Sequence, residues 1–434
     1  MRSDATLGGQ RRPLSLGAFR VRSYRFQWSA DLLTSWASEM ETIILGWYVL
    51  TSTGSVLLLT MFGSLQFLGT LVAPVFGVLG DRLGARTMLC VMRAIYVGLA
   101  IAMTGLTFAG ALTPGWVFAL ATLTGLVRPN DLIMRNSLIG QTIGPADLMG
   151  ALGMSRATMD SARVAGALVG ATLSTALGVP VTYVLVVIFY ALSLGLTFGI
   201  AQRPPAPDPS AAPRRTVAAP SGWRDLKEGL AHVWSTPEVL AMMLLAFLIN
   251  MTAYPASGGL LPYAAQRIYH VDATGLGLLV ASFSFGGLLA SLGTVLTGGP
   301  RHPERTTLVC TAVWYVMVFV FGHMTSMGAG SLALIVAGFA QNVAMIAMTA
   351  TLLAAAGEGF RGRVMGVRTL AVYGLPIGLM ASGFVIERIG YPLTISLSAT
   401  LGLLFTFLIG LRWRASIWTR RRRSDPSLAR SLSS

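Results

Sequence analysis

Two short ladders of charge stand where charge is expensive. Arg128, Asp131 and Arg135 recur at i, i+3 and i+7, and Arg156, Asp160 and Arg163 at i, i+4 and i+7, each set inside a mostly apolar run. On a helix either spacing places its three groups on one face. A charge within a hydrocarbon layer costs about several kcal/mol unless it is paired or wetted, so such groups are candidates for proton exchange, gating or ligand contact. The two sets are mirror images about positions 145 and 146. In an antiparallel hairpin turning near Pro145 and Ala146 they lie at matched depths, and each aspartate is expected to bridge arginines of its own helix and of the neighbouring one. A structural lock between the helices fits this pattern as well as a gating or proton-linked role does.

Three further acids, Asp31, Glu39 and Glu41, lie in the first apolar run. Asp31, near one end of the run, is expected to reach the interface or to pair with Arg25. Glu39 is near the middle, where a carboxyl in a low-dielectric cavity holds its proton to higher pH and can exchange it. It is the preferred proton-coupling candidate, ahead of Asp31, Asp131 and Asp160, and a standing ion pair with Arg128 or Arg163 is the competing expectation. Glu41, two residues on, points to a different face.

The second half of the chain differs in kind. The acids of spans seven to twelve, Glu238, Asp272, Glu304, Glu358 and Glu387, fall at ends or in loops, whereas these apolar runs carry Asn250, Tyr254, Phe283, Phe285, Trp314, Gln341, Asn342 and Tyr373. Aromatic rings with a few amides suit an amphipathic organic molecule better than an ion or a sugar. Asn250, Tyr254, Phe283, Trp314, Asn342 and Tyr373 are therefore candidate substrate-cavity residues, with plain helix packing as the alternative for each. His323, near a run end, reads as interfacial.

These groups must be positioned by membrane-spanning helices. The chain has 434 residues, of which 54% are hydrophobic and 11% charged, and its mean hydropathy is +0.67. Runs of the roughly 20 apolar residues that a bilayer requires recur along nearly the whole length. Twelve spans are expected: 28–50, 56–80, 87–110, 114–136, 148–178, 181–201, 239–262, 274–299, 306–325, 331–354, 364–386 and 392–411. The fold class is all-α and polytopic, two six-helix bundles at 28–201 and 237–411. They are flanked by a basic N-terminus at 1–27 and a basic tail at 412–434, and joined by the linker 202–236. The linker contains a Pro/Ala-rich stretch and then WRDLKEGLAHVW, whose apolar spacing suits a helix lying on a membrane surface.

Charge gives the orientation. Among 32 basic residues only Arg267 and Arg388 fall on the face opposite the termini, and Arg93, Arg128, Arg135, Arg156 and Arg163 lie within spans. This bias places both termini in the cytoplasm. The net charge of +15 thus reflects topology rather than nucleic-acid binding, for which no stacking or groove-reading element is present. The tail RWRASIWTRRRR is expected to rest on anionic lipid headgroups. Cys90 and Cys310 stand apart from any ligand spacing and read as small core residues. No metal or other cofactor is expected. A phosphate-binding G-x-x-x-x-G-K-[ST] loop is absent, which disfavours an ATP-driven pump, and the absence of a D-x-x-x-D-type loop cluster disfavours a membrane-embedded transferase.

The halves also repeat: RTMLC at Arg86–Cys90 returns as RTTLVC at Arg305–Cys310. Parallel repeats of this kind put a substrate site near mid-membrane and support alternating access. Between the second and third spans lies GVLGDRLGARTML, Gly77 to Leu89. With Gly77, Leu79, Asp81, Arg82, Gly84 and Arg86 it resembles the loop G-x-L-x-D-R-x-G-R-R/K of the major facilitator superfamily of secondary transporters, Ala85 standing at a usually basic position. The resemblance extends over most of the chain to a bacterial drug/proton antiporter branch that includes the enterobactin exporter and macrolide-efflux proteins. It is carried by the first span, by ARVAGALVGATL at Ala162–Leu173 and by FRGRVMGV at Phe360–Val367. In that branch the fifth span reads R-x-x-G-P-x-x-G; Arg163, Gly166 and Gly170 match and Ala167 replaces the proline. Thr122 occupies the place of a basic residue in the fourth span, for which Arg128 can substitute.

The resemblance implies gating by Gly77, Asp81, Arg82, Gly84 and Arg86, with Asp81 latching to the start of the eleventh span beside Arg361 and Arg363. It implies a proton-driven exporter of a small organic compound, drug-like or siderophore-like, in a bacterial inner membrane. A monomer is expected. A proton-coupled importer on the same fold is the alternative.

Overall fold

A computed structural model describes residues 16–414 except 74–75, 77–78, 81–82, 202–221, 298 and 358–359. Every element among them is helical. The helices are α1 (Arg22–Thr53), α2 (Val56–Leu65), α3 (Ala85–Phe108), α4 (Pro114–Thr142), α5 (Pro145–Phe198), α6 (Gly222–Ser235), α7 (Pro237–Thr252), α8 (Ala273–Thr297), α9 (Pro303–His323), α10 (Met327–Ala355), α11 (Arg361–Leu370), α12 (Gly374–Ile389) and α13 (Tyr391–Arg412).

Among the described residues eight helices qualify as spans by length and apolar content, and the remainder of the twelve follow from how the segments divide. Residues Gly150–Phe198 run as one long apolar segment, but Gly178 interrupts it with φ 80° and ψ 164°, a conformation open to glycine and followed closely by Pro180. This is the turn between the fifth and sixth spans. The first and fourth spans, α1 and α4, carry the acids and arginines described above, which lower their mean hydropathy. The second span begins as the shorter apolar segment Val56–Thr70. The seventh continues past α7 through two π-helical stretches, Pro255–Gly259 and Ala264–Ile268. The eleventh is α11 and α12 joined by a 3₁₀ turn at Ala371–Tyr373.

The chain forms two compact units. One comprises Met1–Ser55, Leu65–Ala219 and His270–Ala281; the other comprises Val56–Ser64, Pro220–Tyr269 and Ser282–Ser434. In the first unit α1 lies along α5, and α3 packs on α4 and α5. In the second, α9 packs on α10 and α13, and α12 on α7. Small residues permit α8 and α10 to approach closely as well: a Cβ on Gly338 would fall 1.9 Å from the Phe283 carbonyl oxygen, and one on Gly286 1.9 Å from that of Ile335.

The linker's predicted amphipathic helix is α6, whose second half docks on α11. The His232 ring stacks on Phe360 with centroids 4.3 Å apart. Glu228 pairs with Arg363 at 3.3 Å, and Gly229 meets Arg363 and Val367. Most of the N-terminus, the proline-rich stretch and most of the basic tail lie outside the described residues, and with them the expected lipid contact of the tail.

Candidate functional site

The site is built where α1, α4 and α5 meet in the first unit. Gly166 and Gly170 leave a groove on α5 into which α1 settles: a Cβ on Gly166 would stand 2.9 Å from the Glu39 Cβ, and one on Gly170 2.9 Å from the Met40 Cα. That close approach brings Arg163, three residues before Gly166, beside Glu39. Arg163 Nε lies 3.9 Å from Glu39 Oε1. From α4, Arg128 Nη2 approaches the same oxygen to 3.7 Å. The Glu39 side chain is 21% exposed, Arg128 27% and Arg163 41%. One carboxylate oxygen is thus shared by two guanidinium groups at ion-pair but not hydrogen-bond distance.

Arg128 is aimed by neutral oxygens. Its Nη1 donates to Thr42 Oγ1 and to Gln66 Oε1, each at 2.8 Å. Around this group lies a cavity lined by Thr34, Ser35, Ser38, Glu39, Tyr96, Arg128, Asp131, Leu132, Arg135, Met159 and Arg163. It is a partly open cavity of about 80 Å³.

Behind the cavity is a second, closed network. Asp31 pairs with Arg93 of α3 and, at 3.5 Å, with Arg135 of α4. Arg135 Nη2 also meets Asp131 Oδ2 at 2.5 Å, and its Nη1 donates to Ser35 Oγ at 2.9 Å. Arg93 has no exposed surface and donates to Thr197 Oγ1 as well. Asp31 is therefore neither at the interface nor paired with Arg25. It is 4% exposed and takes two arginines from spans distant in sequence.

The expected cross-bridging of the two ladders is corrected in the same way. Asp131 pairs with Arg135 of its own helix and Asp160 with Arg156 of its own, at 3.4 Å. The reason is packing. The body of α5 contacts α1 far more than α4, so the acids of α1, rather than those of the facing ladder, reach across to the arginines. Arg156 points outward with its side chain 55% exposed, while Asp160 is 8% exposed.

Glu41 faces away from Glu39. It is buried and accepts a hydrogen bond from Tyr190 Oη at 3.1 Å, and Tyr190 stacks on Tyr96, a residue of the cavity wall. Cys90 and Cys310 are half-buried rather than core residues. In the gating loop, Gly84 holds φ 83° at the start of α3, and Arg86 donates to the Phe198 carbonyl at 2.8 Å. Gly77, Asp81 and Arg82 lie outside the described residues.

In the second unit Tyr254, Trp314 and Gln341 come together. Gln341 Nε2 donates to Tyr254 Oη at 2.6 Å, and the Tyr254 ring meets Trp314 edge-on at 4.9 Å. Trp314 has no exposed surface. Asn342 is spent on helix packing, donating to the Gly287 carbonyl at 2.6 Å, and Asn250 on its own helix through the Ala246 carbonyl. Phe283 is buried, Tyr373 half-buried. His323 is exposed at the end of α9.

With this geometry in hand the comparisons with known proteins are decisive for the family: the model of the Major Facilitator Superfamily matches residues 28–379. The chain belongs to the major facilitator superfamily. The multidrug efflux pump Tap of Mycolicibacterium fortuitum is 25% identical over 397 residues, covering 88% of this chain and 94% of that protein. Among solved structures, a POT family transporter in complex with 5-aminolevulinic acid superposes with a TM-score of 0.69 at 12% identity, covering 92% of this chain and 97% of that one. The nucleoside transporter NupG superposes with a TM-score of 0.68 at 13% identity, covering 92% and 100%. At such identities the structures bear on fold alone. The protein is a multi-pass membrane transporter of the major facilitator type and not an enzyme.

Several residues of this transporter's site were not singled out by sequence. Arg93 carried a signal, a lone charge in an apolar run, but its partner is 62 residues away. Thr42, Gln66, Ser35, Ser38 and Tyr96 carried little, because single polar residues in spans are common and only their convergence on Arg128 and Arg135 gives them meaning.

Proposed function

We propose that this transporter is a proton-driven exporter of an amphipathic organic compound, drug-like or siderophore-like, working by alternating access in a bacterial cytoplasmic membrane with both termini inside. Similarity to an efflux pump supports the outward direction. The observation that carries proton coupling is the position of Glu39. It is the acid of α1 that reaches the cavity, and a single oxygen of it is held loosely between Arg128 and Arg163. Protonation removes the attraction to both arginines at once, so proton occupancy and the arrangement of α1, α4 and α5 are linked. Asp31, Asp131 and Asp160 are each committed to an ion pair with an arginine other than these two. We assign them to the scaffold and Glu39 to the proton. In the second unit the half-buried rings of Tyr254 and Tyr373 are the candidates for apolar contact with the substrate, and the loop with Asp81 gates.

The test is a flux assay in proteoliposomes with an imposed pH gradient, using a substrate found by screening a deletion strain against a compound panel. Glu39→Gln keeps size and the neutral form but cannot release a proton. It should bind substrate and catalyse downhill exchange, yet lose uphill transport. Intact uphill transport by the variant would remove Glu39 from the coupling step, and accumulation along an inward proton flow would reverse the assigned direction.

A further inference from the structure

We infer that the cavity of the first unit recognises an acidic group: the transported molecule carries a carboxylate or a comparable anionic oxygen group that docks on Arg128 beside Arg163. The inference rests on the proposed function, in which Glu39 of this cavity couples the proton to transport, and adds the chemistry that the cavity selects.

The charged residues in the cavity wall are three arginines, Arg128, Arg135 and Arg163, and two acids, Glu39 and Asp131. Asp131 and Arg135 are closed on one another at 2.5 Å with side chains 5% and 6% exposed, and so present little surface to a ligand. What faces the open space is Arg128 and Arg163 with Glu39 between them. Arg128 is organised like a receptor. One edge of its guanidinium is fixed by Thr42 and Gln66, which orient it without neutralising it. Its Nη2 meets the Ser38 carbonyl only at 3.5 Å and Glu39 only at 3.7 Å. A planar fork held on one edge and loosely met on the other is matched by a carboxylate, with which guanidinium forms short, charge-assisted hydrogen bonds. Tyr96, Leu132 and Met159 offer aromatic and apolar surface for the rest of an amphipathic molecule. A cationic head group would meet two guanidinium groups and a carboxylate already shared between them. A neutral amide could accept from Arg128 but brings no charge to balance it.

The experiment measures binding to the purified full-length protein in nanodiscs, with matched acid, amide and amine probes on two apolar scaffolds. The first set is 2-naphthoate, 2-naphthamide and 2-naphthylmethylamine; the second is the corresponding biphenyl series. On at least one scaffold the acid should bind roughly tenfold to a hundredfold tighter than the amide and the amine, as expected for hydrogen bonds to a charged partner. Arg128→Gln should reduce acid binding to the level of the amide. Glu39→Gln, which removes the competing carboxylate, should tighten acid binding several-fold and leave amide binding unchanged, a gain that misfolding cannot produce. Equal binding of acid and amide on both scaffolds, a preference for the amine, or an acid preference that survives Arg128→Gln would overturn the inference. Failure of proton coupling is read separately: an acid preference with intact uphill flux in Glu39→Gln would refute the coupling role and leave the acidic subsite standing.

Discussion

Replacing Asp31 with asparagine tests whether the closed network holds the first unit together. The change preserves shape and removes one negative charge. Arg135 retains Asp131 at 2.5 Å, but Arg93, which has no exposed surface, is left with hydroxyl and amide partners and no carboxylate. Breaking a buried pair by removing one partner costs about 3–5 kcal/mol, because the remaining charge stays desolvated. Asp160→Asn is the matched control. It also removes a buried acid, but its partner Arg156 is 55% exposed and can be solvated, so the loss should be about 1 kcal/mol or less. The assay is heating of purified protein in detergent, followed by size-exclusion chromatography to measure the fraction still monodisperse. Asp31→Asn should melt well below wild type and Asp160→Asn close to it. The double change Asp31→Asn with Arg93→Met should recover much of the loss, since a buried pair replaced by apolar groups is often neutral. Equal melting of the two single variants, or no rescue by the double change, would refute the claim that Arg93 depends on Asp31.

Two further outcomes follow from the same geometry. Because Asp131 and Asp160 serve different arginines, their alanine variants should combine additively in the same thermal assay, within about 0.5 kcal/mol; strong coupling between them would restore the bridged-ladder arrangement. Gly125→Ala should destabilise the first unit by roughly 1–3 kcal/mol, because its Cβ would stand 2.1 Å from the Leu65 carbonyl oxygen, and an unchanged melting curve would show that this contact yields freely.

Membrane class and the placement of the apolar helices were legible without coordinates. Apolar runs, glycine and proline punctuation and the distribution of arginine report directly on what each segment can bury. The ladder residues were also placed correctly on their own helices, since helical periodicity is a local property: Arg135 meets Asp131 and Arg156 meets Asp160 four residues apart. Which helix lies against which was not legible. Matched depths on the fourth and fifth spans suggested that they face one another. Gly166 and Gly170 instead admit α1 to the surface of α5, so of the partners expected for Arg163 it is Glu39, not Asp131 or Asp160, that meets it. Asp31 similarly finds Arg93 and Arg135, 62 and 104 residues away. Periodicity fixes the face that a residue occupies, but the identity of its partner depends on how closely two backbones can approach, and that is decided only when the whole unit has packed.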